Sequence, residues 1–148
     1  MPYLLLLLFG LVLGTILPIQ ASLNAQMQKV VGSPIWSAFL SFLAGTICLF
    51  VYGIVTRLPV SQLWSARSVP WYLWLPGVIG AIYVGSVIML IPRLGVALTF
   101  GLVIAGQLII SILLDHFGWF GVTVREVSWG RMAGAVLLLI GVWLIRKY

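Results

Sequence analysis

The chain has 148 residues, of which 63% are apolar and only 7% charged, and its mean hydropathy is +1.22. A soluble domain has about a quarter of its residues charged, so this inventory excludes a water-facing surface and makes lipid the main solvent. Eight Lys and Arg against two acids give a formal charge of +6; standing singly at the ends of apolar runs, they exclude a nucleic-acid-binding stripe and suit lipid headgroups.

Crossing about 30 Å of hydrocarbon takes about 20 helical residues. Five runs of that order are expected as helices, at residues 3–26, 34–56, 71–91, 94–116 and 129–145, in an all-α membrane domain covering residues 1–148. The first run carries no Lys or Arg up to Leu8 and continues past any cleavage site, so it reads as a retained helix rather than a signal peptide. At helical spacing it aligns Gly10, Gly14, Pro18, Ala21, Ala25 and Gln28 on one face, with Asn24 beside them. Gln20, Asn24 and Gln28 recur every fourth residue just after Pro18, whose missing N–H frees a carbonyl.

After a break at 30–34, the second run aligns Ser37, Ser41, Ala44, Gly45 and Cys48. Cys48 is the single cysteine, which excludes an intrachain disulfide or a multi-cysteine metal site. Past the break at 57–70, the third run carries Gly77, Ala81 and Gly85, with Tyr83 as a candidate gate. The break Pro92-Arg93-Leu94-Gly95 is short enough to demand a tight antiparallel hairpin between the third and fourth runs. The fourth run repeats the polar pattern of the first, with Gln107, Ser111 and Asp115 at every fourth position, followed by His116. The fifth, beyond the break at 117–128, carries Gly130, Gly134 and Gly141 and almost no buried polarity, which suits scaffold or dimer contact. Trp36, Trp64, Trp71, Tyr72, Trp74, Trp119, Trp129 and Trp143 fall mostly near the run ends, as an interfacial aromatic belt requires.

A polar side chain in hydrocarbon needs a partner, a wet cavity or a solute. Asn24 and Gln107 are the first candidates for contact with a solute, Gln20 and Ser111 the next, with Gln28 and Tyr83 beside them. The alternative is that these amides and hydroxyls bond one another across helices, at about 0.6 kcal/mol each. Asp115, at a helix end, is either solvated or paired with Arg93, Arg125 or Arg131; His116 is a proton relay or an ordinary interfacial residue. Arg93 could meet an anion if it turns inward. The glycine positions, Gly10, Gly14, Gly77, Gly85, Gly130, Gly134 and Gly141, are expected at helix-packing or dimer faces. Because no carboxylate sits near mid-helix, proton-for-cation exchange is disfavoured, and a neutral, zwitterionic or anionic solute fits better. No metal-ligand cluster, nucleophile elbow or phosphate loop occurs, so no enzyme activity and no cofactor is expected.

Five crossings place Arg57, Arg67, Arg125 and Arg131 on one side and Lys29, Arg93, Arg146 and Lys147 on the other. The positive-inside rule then has no imbalance to act on. A chain that inserts both ways could pair with itself as an antiparallel homodimer, giving a ten-helix inverted-repeat bundle around a midplane cavity lined by the first and fourth helices. A partner protein or sister subunit that fixes one orientation is the alternative. Outside transport, an accessory subunit of a membrane assembly and a lipid-precursor flippase stay open.

Gly106-Gln107-Leu108, Ser111 and Asp115-His116-Phe117-Gly118 resemble the signature of the short YdcZ-like proteins of the bacterial inner membrane. Asn24-Ala25-Gln26, the segment from Gly77 to Gly80 with Tyr83-Val84, Pro92-Arg93-Leu94-Gly95, and Arg131 with Gly134 agree, so the resemblance covers nearly the whole chain. It implies a place in the drug/metabolite transporter superfamily, whose larger members resemble two fused five-helix halves in inverted orientation, and it implies export of a small molecule. The small multidrug exporters of that superfamily carry a glutamate in helix one; the first helix here has no acid, which puts their proton-coupled mechanism in doubt for this chain.

Overall fold

The computed structural model describes residues 3–148, and all its long elements are helices: α1 (Tyr3–Val31), α2 (Pro34–Val55), α3 (Leu75–Leu94), α4 (Val96–Phe117) and α5 (Trp129–Lys147). Each is long and apolar enough to cross a membrane, the third counted from Trp71. The described chain divides into two compact units, one ending at Arg93 and the other spanning Leu94–Tyr148.

In the first unit α1 and α2 form a helical hairpin. The helix expected to stop at 26 runs on to Val31, because Gln26, Gln28 and Lys29 are polar but good helix formers and nothing breaks the backbone before Gly32. Gly32 ends it with φ +74, and its N–H donates to the Gln28 carbonyl at 2.8 Å. Ser33 then caps α2 by accepting from the Trp36 N–H, with Pro34 in the first turn, where a missing N–H costs nothing. Pro18 lies within the continuous α1, and the Ser22 hydroxyl donates to the Pro18 carbonyl at 2.8 Å. Buried residues are confined to the turn end of this hairpin: Ala21, Asn24 and Ala25 on α1, and Ser37 and Ala38 on α2.

The segment between α2 and α3 is not an open break. Val60–Ser68 forms 3-10 helix, and Trp71–Trp74 a further 3-10 turn that leads into α3 at Leu75 rather than at 71. Phe42 of α2 lies against Gly80 of α3, where a side chain as small as a methyl would stand 3.5 Å from the ring. Pro92 does not end α3, which continues to Leu94: in the last turn the lost N–H removes one bond and no further turn follows to be distorted. The true stop is Gly95, with φ +80, so α4 starts at Val96 rather than at 94. Thr99, fully buried, donates its hydroxyl to the Gly95 carbonyl at 2.6 Å.

In the second unit α5 packs along α4, and Val142 fills the space left by the missing side chain of Gly101. The connection between them is closed by Gly118, whose φ of +63 ends α4; a methyl there would lie 2.7 Å from Val124. Beyond it the chain folds back, and the Arg125 N–H donates to the Asp115 carbonyl at 2.8 Å. Ser128 caps α5 by accepting from the Arg131 N–H at 3.4 Å.

Candidate functional site

The first unit buries polar side-chain atoms that nothing satisfies. Among the described residues, Asn24 Nδ2, Gln28 Oε1 and the Tyr83 hydroxyl are enclosed without a hydrogen-bond partner. All three belong to this unit, and Asn24 and Gln28 lie one turn apart on α1. Their positions follow from the hairpin. Ser37, fully buried in the first turn of α2, donates its hydroxyl to the Asn24 carbonyl at 2.7 Å and so fixes the depth at which the α1 polar stripe meets α2. One turn further from the connection, Gln20 Nε2 donates to Ser41 Oγ at 3.4 Å. The hairpin thus satisfies Gln20 through its neighbour and uses the backbone of Asn24, leaving the Asn24 amide uncommitted.

An unsatisfied buried polar group costs about 1–3 kcal/mol, and such groups call for an explanation in a folded chain. The three atoms form a defined chemical set, with an amide donor, a carbonyl acceptor and a hydroxyl that can do either. None carries charge. A solute that met all three would have to both donate and accept hydrogen bonds.

The remaining candidates fall elsewhere. Gln107 and Ser111 are exposed on α4 within the single chain. Asp115 is paired: Arg131 donates from one guanidinium nitrogen to Asp115 Oδ2 at 2.6 Å and from another to the Arg125 carbonyl at 3.2 Å. Asp115 is therefore part of the clasp that holds the 117–128 connection against α4. Its neighbour His116 is exposed and sits edge-on to Phe117, with ring centroids 4.9 Å apart. Arg93 is exposed in the last turn of α3 and makes no ion pair among the described residues. Within its own unit, none of Gly10, Gly14, Gly77, Gly85, Gly130, Gly134 and Gly141 has another atom within reach of an added methyl. Close packing falls instead on Gly80, Gly101 and Gly118, which helical spacing alone did not single out as packing sites. Ser37 was legible as a small residue in a helix-two stripe but not as the anchor of Asn24; its signal is that 24 with 37 and 20 with 41 step outward evenly from the turn at Gly32.

Residues 5–144 match the family described as "Putative inner membrane exporter, YdcZ". The chain is 30% identical over 142 residues to the inner membrane protein YdcZ of Escherichia coli (strain K12), a match covering 95% of this chain and 94% of that protein. No solved structure matches the chain significantly. The chain belongs to the YdcZ family and is a multi-pass inner membrane protein.

Proposed function

We propose that this YdcZ-family chain is a secondary exporter of a small neutral or zwitterionic solute, and that Asn24, Gln28 and Tyr83 are its principal hydrogen-bonding contacts. The observation that carries the reading is the set of three buried, unpartnered polar atoms within one unit of a family described by export. A solute that passes and leaves would satisfy them only transiently, which is how a transport site differs from a folded core. A permanent partner would lower the energy of one state and trap it. Asp115 takes no part in coupling, because its ion pair with Arg131 commits it to the fold.

The working unit is proposed to be two copies inserted in opposite directions, alternating access by rocking one copy against the other. Two features support this. The number of candidate spans is odd, and the basic residues at their ends divide four against four. Gly10, Gly14, Gly77, Gly85, Gly130, Gly134 and Gly141, which meet nothing within their own unit, offer smooth helix faces on which a second copy can seat. Gln107 and Ser111 are exposed polar groups on α4 that the second copy or the solute would cover. Neither an enzymatic step nor a cofactor enters this scheme.

The test is flux. Full-length protein in liposomes should give saturable counterflow of at least one member of a panel of radiolabelled neutral and zwitterionic solutes. Asn24→Leu should lower that flux about tenfold, the effect of losing roughly one hydrogen bond to the solute. Wild-type flux in Asn24→Leu and Tyr83→Phe alike would reject the site. C-terminal reporter fusions should be active on both sides of the membrane, and activity on one side alone would reject dual insertion.

A further inference from the structure

Helix α4 carries an amide at mid-span that its own fold leaves uncovered. Gln107 is exposed, and its side chain makes no hydrogen bond among the described residues. It stands 11 residues after Val96 and 10 before Phe117, the two ends of the helix. At 1.5 Å per residue α4 is about 33 Å long, close to the hydrocarbon thickness, so its middle and the bilayer centre coincide and Gln107 lies within about 1 Å of both. That is the depth at which water is scarcest and an amide facing lipid is most costly.

Helix α5 covers a different side. Gly101 receives Val142, Asp115 pairs with Arg131, and Ala105 and Ile112 are buried on the same stripe of α4. At about 100° per residue, Gln107 stands roughly a third of a turn from the centre of that stripe. Val103, Gln107 and Ser111, each four residues from the next, form a separate one. The hydroxyls of Thr15, Ser22, Thr46 and Thr99 each donate to a carbonyl three or four residues back, whereas that of Ser111 makes no such bond. Two neighbouring polar groups on one stripe, both without a partner among the described residues, mark a surface that suits another polar surface better than lipid. Gly106, beside Gln107, meets nothing within 4 Å and leaves room for a second backbone to approach.

Two oppositely inserted copies are related by a two-fold axis in the membrane plane, which carries a residue above the bilayer centre to the same distance below it. Only a mid-span residue can then meet its own counterpart. A carboxamide suits that position, because its N–H donates and its oxygen accepts, so two copies of it satisfy each other through a pair of hydrogen bonds. We propose that Gln107 lies on this axis, its amide paired with Gln107 of a second, inverted copy, and that α4 against α4 is the centre of the dimer interface. The proposal rests on the dual insertion argued above and names where the two copies meet. Ser111, about 6 Å from the centre, is then level with Val103 of the second copy, while the two copies of Ser111 stand about 12 Å apart.

The experiment replaces Cys48 with alanine, introduces single cysteines into the full chain and oxidises them in the membrane. Gln107→Cys should give a disulfide-linked dimer. Ser111→Cys alone should not, because about 12 Å exceeds the roughly 7 Å between Cα atoms that a disulfide spans. Chains carrying Val103→Cys and Ser111→Cys, co-expressed with tags of different size, should form the mixed dimer. Gln107→Leu should raise the dimer dissociation constant in detergent about eightfold, the effect of losing two interhelical hydrogen bonds, and should melt no lower as a monomer. Three outcomes overturn the proposal. Ser111→Cys linking to itself as readily as Gln107→Cys means parallel copies; a dimer that Gln107→Cys fails to link meets elsewhere; and Gln107→Leu with an unchanged dimer but lost flux makes the amide a solute contact. The second and third leave dual insertion standing if the C-terminal reporter fusions are active on both sides. Fusions active on one side alone remove that reading, and this one with it.

Discussion

In the unit ending at Arg93, Asn24, Gln28 and Tyr83 enclose polar atoms that meet nothing; in the unit Leu94–Tyr148, Asp115, Arg131 and the Arg125 carbonyl, the most polar groups, meet one another. The hairpins themselves are built alike, two long apolar helices joined through a glycine of positive φ and a serine cap. What differs is whether the polar groups are spent on the fold. A membrane helix has no water to satisfy a buried amide, so groups left unspent in the first unit are free for a solute, and groups spent in the second hold a loop in place. Polarity within a span is thus not in itself a sign of function.

The strongest way to break this contrast is to apply the flux assay to both units. Asn24→Leu is expected to lose about tenfold while its melting temperature holds or rises, since an apolar group replaces an unsatisfied one. Asp115→Asn is expected to keep wild-type flux but lose about 1–2 kcal/mol of stability in thermal unfolding, the worth of a charge-assisted bond discounted for partial exposure. If Asp115→Asn abolishes flux at unchanged stability, the clasp is part of the transport machinery and the contrast fails.

Gly118→Ala sharpens the structural half. It places a side chain at φ +63 and a methyl 2.7 Å from Val124, so unfolding should report a loss of about 1–2 kcal/mol, as for other strained backbone positions. A smaller loss is expected for Gly101→Ala, whose methyl would press on Val142 at 3.1 Å, and none beyond about 0.5 kcal/mol for Gly134→Ala, which meets nothing in its own unit. If Gly134→Ala leaves the monomer intact but lowers the dimer fraction, the open glycine faces are where two copies meet. Equal melting and equal dimer content would return those faces to lipid.

Part of the candidate set was legible from periodicity. The four-residue spacing of Gln20, Asn24 and Gln28 put them on one stripe of α1, and Tyr83 was a candidate gate in the third run. The same spacing grouped Gln107, Ser111 and Asp115 on one stripe of α4, with Asp115 expected to be solvated or paired to an arginine. Asp115 is paired, while Gln107 and Ser111 are exposed. Spacing says which residues share a face, not whether that face has a partner. The glycines carry the same lesson in reverse: repeats at i, i+4 and i+7 marked smooth faces, yet the contacts within each unit fall on Gly80, Gly101 and Gly118.

The sequence by itself determined the solvent, the number of spans, their approximate limits and the family, because hydrophobic length and charge scarcity are properties of composition that no packing can change. Only the tertiary structure decided which polar groups are spent. Ser37 takes the Asn24 carbonyl, Arg131 takes Asp115, and the amide of Asn24 is left over, since a hydrogen bond depends on two atoms being brought within about 3 Å of each other, a distance that no one-dimensional pattern encodes.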